Sequence, residues 1–222
     1  MIPIITPKHT TDTVDGTLDS ETAIHPSWIV NSSAASDPQW ISNSTLIYIY
    51  STEDGSELRT LNIDTLKSST IQRFDADISN LEVHRGKKHT RIAFSAKVNQ
   101  KGEMVPRNET KTPEVLVYDK LWVRHWDEWI TPLKNSIFAA TLSPVSQPKG
   151  SKDEGEFELK GLRNMLFGID IHNLESPIPP WGGTEDFSLS ESYLAFVAKD
   201  PHLNPSTNTA SHVYVVSFED ER

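Results

Sequence analysis

The chain has 222 residues, no cysteine, a formal net charge of −10 and a hydrophobic fraction of 36%. The absence of thiols excludes disulfides, zinc–thiolate sites and thiol catalysis, and the acidic balance argues against unaided binding to nucleic acid or an anionic membrane. No run approaches the roughly 20 apolar residues that cross a bilayer.

The first 36 residues are predicted to form a mobile arm or the remnant of a preceding structural unit. Residues 8–23 are dominated by Thr, Asp and Ser and show no apolar period, which is typical of a segment that cannot bury a core. The first residues lack the basic and apolar regions of a signal peptide. We therefore expect either a cytosolic protein or a chain that begins downstream of its true start.

Strand signals begin after residue 36. A β-branched and aromatic run, Thr45–Ser51, is followed by a turn at Glu53–Ser56 and by the alternating segment Glu57–Ile63, a pattern that predicts a β-hairpin. Ser69–Phe74 is predicted to be a further short strand.

A near-duplicate segment is the most informative feature. Arg91–Lys97 (RIAFSAK) and Tyr193–Lys199 (YLAFVAK) resemble each other and the earlier run Thr45–Ser51. Their central aromatic residues, Tyr48, Phe94 and Phe196, are separated by 46 and then 102 residues. The first interval is about the length of one four-stranded propeller blade. The second fits either one blade that carries a large insertion or two blades, and we favour the insertion.

Each copy follows a short acidic and apolar segment that predicts the first strand of its blade: Asp37–Trp40, Asp77–Leu81 and Asp186–Leu189. Asn135–Leu142 and Phe157–Leu162 are predicted as the third and fourth strands of the second blade, and His212–Phe218 as the third strand of the last. The sequence thus predicts an all-β, partial β-propeller of two to three four-stranded blades over residues 37–222. Since closed propellers need at least about four blades, it is interpreted as part of a larger one.

The insertion, residues 98–134, contains three of the six tryptophans. The segment is predicted to form a short helix that starts near Thr112-Pro113 and stops at Pro132. A helical spacing places its large apolar residues on one face: Tyr118, Trp122, Trp126, Trp129 and Leu133. This face is expected to pack on a blade. The alternative is that the insertion projects toward a ligand or partner domain, which would be contacted by Arg124, His125, Asp127 or Glu128.

Two stretches carry a resemblance to a known family. Tyr118–Trp129 (YDKLWVRHWDEW) and Leu174–Phe218, with its Pro-rich loop, Gly-Gly pair and AFVAKDP strand, resemble the propeller domain of prolyl-oligopeptidase-family serine peptidases, and most closely the fungal secreted dipeptidyl-peptidase 5 group. The resemblance covers roughly residues 37–220. It implies a propeller joined to an α/β-hydrolase domain that carries a Ser-Asp-His triad, peptide substrates and a secreted enzyme that releases N-terminal dipeptides.

The sequence departs from that family where the catalysis would lie. It contains no G-x-S-x-G nucleophile elbow, so no catalytic residue is carried over and the chain is predicted to be inactive alone. No cofactor is expected. His84 and His89 flank an exposed turn without further ligands, so no metal site is expected either. Asp127 and Glu128 could bind the free amine of a peptide, although a solvated surface is the simpler interpretation.

Three glycosylation sequons occur, at Asn31, Asn43 and Asn108, and weakly favour secretion. Three hypotheses on function stay open from the sequence. The chain is the propeller portion of a secreted serine dipeptidyl peptidase, with the α/β-hydrolase domain and peptides as its partners. Alternatively, it is a non-catalytic interaction module that uses open strand edges, or a gene fragment without independent function.

Overall fold

A computed structural model describes residues 3–4, 27–28, 33–110, 117–118, 123–126, 128–145, 157–169, 174–204 and 207–219. The described part is built almost entirely from antiparallel β-strands. Near the N-terminus β1 (Pro3–Ile4) pairs with β2 (Ser27–Trp28). Within the described ranges, no helix reaches the length and hydropathy that a bilayer-spanning segment needs.

The first blade is a four-stranded meander in which each strand pairs with the next along the chain. Its strands are β3 (Ala35–Trp40), β4 (Thr45–Ser51), β5 (Ser56–Asn62) and β6 (Ser68–Phe74). The outer strand β6 is mostly exposed, whereas β4 and β5 are mostly buried. The polar sequence of β6 fits its position at the edge, where charged and polar residues discourage further pairing.

The second blade is also a four-stranded meander, and a small hairpin interrupts it. Its strands are β7 (Ile78–Arg85), β8 (Thr90–Val98), then β11 (Lys134–Pro144) and β12 (Phe157–Asn164). Between β8 and β11, β9 (Arg124–His125) pairs antiparallel with β10 (Glu128–Trp129). The hairpin belongs to the long connection between the second and third strands of this blade.

The third blade contributes three strands to the described residues, in the order β13 (Phe187–Leu189), β14 (Tyr193–Lys199) and β15 (Ser211–Ser217). In blades 1 and 2 the third strand lies between two neighbours, whereas β15 pairs with β14 alone among the described strands. The outer edge of β15 is therefore open in the described part of the chain.

Blade 2 lies between the other two blades. On β8 the alternate residues Ile92 and Phe94 pack into a cluster with blade 1, whereas Ala93 packs into a second cluster with blade 3. Strand β11 divides in the same way, with Phe138 toward blade 1 and Ile137 toward blade 3. Successive side chains of a strand point to opposite faces. Because both faces of β8 and β11 are covered, the sequences of these strands are continuous apolar runs.

The first strands of blades 1 and 2 share a β-bulge at the same place. In β3 the bulge opposite Tyr48 includes Asp37 at φ 51°, and in β7 the bulge opposite Phe94 includes Asn80 at φ 57°. Asp and Asn tolerate this left-handed conformation better than most residues. The Asn80 N–H donates to Asp37 Oδ2 at 3.0 Å, so the two bulges also contact each other across the blade interface.

The structure confirms the predicted repeat. Tyr48, Phe94 and Phe196 each lie in the second strand of a blade, and the predicted third and fourth strands of blade 2 are β11 and β12. The predicted helix is wrong for the described part of this segment, because Arg124–His125 and Glu128–Trp129 pair as the strands β9 and β10. Thr112-Pro113 and Trp122 lie outside the described residues, as does most of the segment before Ala35.

Candidate functional site at the insertion end

Three long connections of the blades lie at the same end of the sheets. This insertion end carries the turn 52–55, the insertion between β8 and β11, the connection 165–186 and the turn 200–210. The opposite end carries short turns at 41–44, 63–67, 86–89 and 190–192 and the 145–156 connection, of which only residue 145 is described. Binding residues lie disproportionately on loops that a rigid scaffold positions, so the insertion end is the candidate site.

Arg107 holds the start of the insertion against both blades 1 and 2. It lies in a short 3-10 helix, Arg107–Glu109, and its guanidinium donates to Asp77 Oδ1 (2.7 Å from Nε), Ser51 Oγ (2.9 Å) and the Thr52 carbonyl oxygen. Its own N–H donates to the Asp75 carbonyl at 2.8 Å. The planar fork of an arginine suits such a multiple contact better than a lysine.

Two cavities flank this arginine. One, of about 430 Å³, is lined by Glu53, Asp54, Asp75, Pro106, Arg107, Asn108 and Glu109. The other, of about 240 Å³, is lined by Asp77, Ser79, Ser95, Ala96, Lys97, Val105, Thr110 and Asn135. In the second cavity Ser95 Oγ already accepts from Asn80 Nδ2 at 2.8 Å and donates to the Ser79 carbonyl at 3.2 Å. The Ser95 hydroxyl therefore already has partners, and its hydrogen bonds fix the start of β7.

A buried carboxyl ties the connection between blades 2 and 3 to β11. The Asn135 N–H donates to Glu175 Oε1 at 2.9 Å, and Asn135 Nδ2 donates to the Pro177 carbonyl at 3.1 Å. Burial raises the pKa of Glu175 and lowers the pKa of the neighbouring Lys134, because both charged forms lose water. We assign the contact between Asn135 and Glu175 a structural role, since it fixes the segment that leads to Trp181.

The β9–β10 hairpin projects an aromatic turn at this end. Trp126 takes φ 56° in the turn, a left-handed conformation that is rare for a bulky residue. Tyr118 stacks on Trp129 with ring centroids 6.2 Å apart, and its hydroxyl donates to the Ile130 carbonyl at 2.9 Å. The Ile130 N–H donates to the Val123 carbonyl at 3.0 Å, which closes the base of the hairpin.

Trp181 reaches Trp126 from the other long connection. The two indoles have centroids 5.3 Å apart and are inclined by 50°. The loop below Trp181 is tightly held, since the Gly182 N–H donates to the Ile178 carbonyl at 2.7 Å and the Ile178 N–H donates to Asp186 Oδ2 at 2.7 Å. A Cβ on Gly182 would stand 2.1 Å from Asp186 Oδ2, so the close approach explains the glycine.

The predicted contact residues fall on the hairpin. Arg124 is exposed, with its guanidinium 5.1 Å from the centre of the Trp129 ring, a cation–π distance. The backbones of His125 and Glu128 pair with each other across the hairpin, and their side chains lie outside the described parts. Asp127 lies outside the described residues. Their role in binding stays a prediction.

The predicted glycosylation sites fall at both ends of the blades. Asn43 is exposed in the turn after β3, Asn108 is exposed in the 3-10 helix at the insertion end, and Asn31 lies outside the described residues. Among the described residues, no three His, Cys, Asp or Glu side chains form a group that could hold a metal ion. His212 Nε2 lies 3.6 Å from Asp200 Oδ2, so this histidine has an acidic neighbour across the 200–210 turn.

Sequence reasoning missed Arg107, Glu175 and the pairing of Trp181 with Trp126. In the sequence, 55 residues separate the two tryptophans. A contact between two inserted loops leaves no periodic signal in the sequence. The shared position of both loops at one end of the meanders is the signal that could have found it.

Comparison with known proteins gives partial matches to peptidases. A protein named dipeptidyl-peptidase 5 from Schizosaccharomyces pombe is 32% identical over 178 residues, 77% of this chain and 24% of that protein. One of the same name from Aspergillus fumigatus is 35% identical over 105 residues, 46% of this chain and 14% of that protein. A probable dipeptidyl-peptidase 5 from Emericella nidulans is 28% identical over 202 residues, 86% of this chain and 27% of that protein.

The chain is thus homologous to a section of proteins named dipeptidyl-peptidase 5, and it spans about a quarter or less of the length of these relatives. No protein-family model matches the chain. No solved structure is significantly similar to it.

Proposed function

We propose that this chain is the propeller portion of a secreted serine dipeptidyl peptidase of the prolyl-oligopeptidase family, and that it hydrolyses no peptide by itself. The single observation that supports this most is the 178-residue match to the Schizosaccharomyces pombe dipeptidyl-peptidase 5, since it spans most of a chain whose described part contains two four-stranded blades and a third with three strands. The sequence contains no G-x-S-x-G elbow, so the catalytic serine would be supplied by an α/β-hydrolase domain.

In this proposal the insertion end faces the hydrolase domain and admits peptides. The two longest connections between strands of the blades, both cavities and the aromatic hairpin all lie at this end. Arg124, His125, Asp127 and Glu128 would contact the peptide, and the two carboxylates would bind its free N-terminal amine through charge-assisted hydrogen bonds. The propeller would then gate access and set the distance from the amine to the scissile bond.

A chimera tests the proposal. The section of the Schizosaccharomyces pombe dipeptidyl-peptidase 5 that matches this chain would be replaced by the matching 178 residues, and release of a chromogenic dipeptide would be measured. We expect a folded, active chimera, while the 222-residue chain alone shows no turnover. Turnover by the isolated chain that a serine-directed reagent blocks would refute it, and so would a chimera that folds with a cooperative thermal transition but releases no dipeptide.

The secretory route is tested by glycosylation. If the chain is produced behind a signal peptide in a fungal host, we expect glycans at Asn43 and Asn108, because both are exposed within sequons. The variants Asn43→Gln and Asn108→Gln should each lose one glycan by mass spectrometry after separate expression. Two unmodified sites on secreted protein would contradict this part of the proposal.

A second candidate function is a strand-adding interaction module. Its motivation is β15, where Val213 and Val215 are 71% and 63% exposed and the outer edge is open within the described part. Such edges bind extended peptide strands through backbone hydrogen bonds. Size-exclusion chromatography with pull-down distinguishes it: a monodisperse monomer without a partner argues against this function.

A further inference from the structure

The most unusual exposed surface is the contact between Trp126 and Trp181. Trp126 and Trp181 are 67% and 68% exposed, yet their centroids are only 5.3 Å apart. Large aromatic side chains are mostly buried in soluble proteins, and a clustered exposed patch marks an interaction site. We call these two residues the tryptophan pair.

The tryptophan pair is held from both sides before any ligand arrives. Trp126 occupies a left-handed turn position, φ 56°, and unusual backbone conformations of this kind cluster at binding sites. Trp181 stands on a loop fixed by Gly182, Ile178 and Asp186. A preordered aromatic surface binds with a smaller loss of conformational entropy.

The size of the pair selects the kind of ligand. Aromatic side chains bury about 150–250 Å² each, so two-thirds exposed indoles offer roughly 200–330 Å² together. A stable complex between folded proteins needs about 800 Å² on each partner. The pair by itself is too small for a folded partner and fits one or two side chains of an extended peptide.

The charges beside the pair fit the same ligand. Arg124 projects its guanidinium over Trp129 on the same hairpin, where it can donate hydrogen bonds to a peptide carbonyl or carboxylate. Glu185 is exposed on the loop that follows Trp181. The two loops that carry the apolar surface thus also carry a hydrogen-bond donor and an acceptor, which suits a peptide because its backbone carries both groups.

We propose that Trp126 and Trp181 form a specificity site that binds a bulky apolar or aromatic side chain of an unfolded peptide substrate. The inference rests on the proposed function, because it assumes that peptides enter at the insertion end. It goes beyond that function by naming a side-chain preference and the two residues that set it. Peptides with small or charged side chains at the same position bind this site weakly.

The test is a titration of the ¹⁵N-labelled 222-residue chain with three tetrapeptides, followed by the six indole N–H signals in NMR spectra. One peptide is all-alanine, the second has phenylalanine at its second position, and the third is the N-acetylated form of the second. We expect the phenylalanine peptide to shift the signals of Trp126 and Trp181 with a Kd of about 0.1–1 mM. The all-alanine peptide should bind at least about tenfold more weakly.

Three variants distinguish binding at the tryptophan pair from non-specific binding to any exposed indole. Trp126→Gly removes the indole and suits the left-handed turn, and Trp181→Ala removes the second ring. Trp40→Ala is the matched control, since Trp40 is a 48% exposed indole on β3 at the other end of blade 1. The first two should each weaken the phenylalanine peptide about tenfold, while Trp40→Ala leaves its Kd unchanged; unchanged circular dichroism confirms folding.

The proposal is overturned if neither signal shifts at about 10 mM peptide, if the all-alanine peptide shifts them equally, or if Trp40→Ala weakens binding as much as the other variants. A surface for a folded partner would give the first of these results. The acetylated peptide distinguishes this proposal from the proposed function. If it binds as tightly as the peptide with a free amine, binding by the tryptophan pair is supported and recognition of the amine by Asp127 and Glu128 is contradicted.

Discussion

Polar side chains fasten neighbouring blades together at the two ends of the sheets. At the insertion end Arg107 joins the β4–β5 turn to the start of β7. At the other end Glu191 accepts N–H groups from Lys88 (2.6 Å) and His89 (3.2 Å), and the Arg91 guanidinium donates to the Glu191 carbonyl at 3.1 Å. These contacts fix the angle between sheets that apolar packing alone leaves adjustable.

Arg107→Ala should lower the free energy of unfolding by about 1–3 kcal/mol, because the Thr52 carbonyl and Asp77 lose a charged donor. Arg107→Lys should recover little of this, since an ammonium lacks the planar fork. Urea unfolding measures both. Arg85→Ala is the matched control, as Arg85 is exposed at the other end of β7; an equal effect of both alanine variants would contradict the role of Arg107.

Glu191→Gln should remove part of the acid sensitivity of the fold. The N–H group of Lys88, with that of His89, holds the pKa of Glu191 below its ordinary value of 4.5. A depressed folded-state pKa contributes stability that is present above the unfolded value and is lost as the pH falls through the folded one. The thermal midpoint of the wild type should therefore fall more steeply below pH 4.5 than that of the variant.

The matched control for this experiment is Glu109→Gln, because Glu109 is exposed in the 3-10 helix far from Glu191. Its pH profile should follow the wild type. If Glu191→Gln shows the same steepness as wild type between pH 5 and 3, the contact between the 190–192 and 86–89 turns does not depend on the carboxylate. Both profiles are recorded at one ionic strength, since surface charges are screened by salt.

At the scale of elements, the strands were predictable and the hairpin was not. β8 carries a continuous apolar run around Phe94 because both of its faces contact other side chains. β14 resembles it in sequence, although it packs only alternate residues, Phe196 among them, into a cluster, so the repeat is visible in the sequence. The spacing of Trp126 and Trp129 fits a helix face equally well. What decides for a hairpin is the left-handed turn at Trp126, which a Gly or Asn would have indicated and a tryptophan does not.

The two faces of β15 should differ strongly in how much the same substitution destabilises the fold. Val215 is 63% exposed on the face turned away from blade 2, whereas Val216 is 4% exposed within the cluster between blades 2 and 3. Val215→Lys should change stability by less than about 0.5 kcal/mol and reduce self-association. Val216→Lys should cost at least about 3 kcal/mol, because it buries an unpaired charge.

Chemical denaturation and light scattering measure these effects. The pair is informative because neighbouring positions of one strand share backbone environment and differ in the face they present. Equal destabilisation by both variants would mean that the outer face of blade 3 is covered in solution. Unchanged scattering of Val215→Lys at high concentration would mean that this face does not drive self-association.

At the scale of the whole molecule, the described part is a stack of three sheets with blade 2 in the middle. Its two apolar clusters share β8 and β11, which alternate their side chains between them. Blade 2 therefore cannot open without disrupting both clusters, whereas blade 3 can separate by breaking one. Stability should accordingly decrease from blade 2 toward β15.

Native-state hydrogen exchange of the 222-residue chain tests this order. We expect the hydrogen-bonded amides of β8 and β11 to exchange only through global unfolding, and those that join β14 to β15 to exchange on the order of 100-fold faster through local opening. The physical reason is that Val216 is the single buried residue of β15, so separating this strand exposes little apolar surface. In low concentrations of urea, exchange in β15 should show little dependence on denaturant, because the slope follows the surface exposed. If the amides of β8 and β15 instead share one exchange rate and one urea dependence, the three blades unfold as one cooperative unit. In that case β15 is as stable as blade 2.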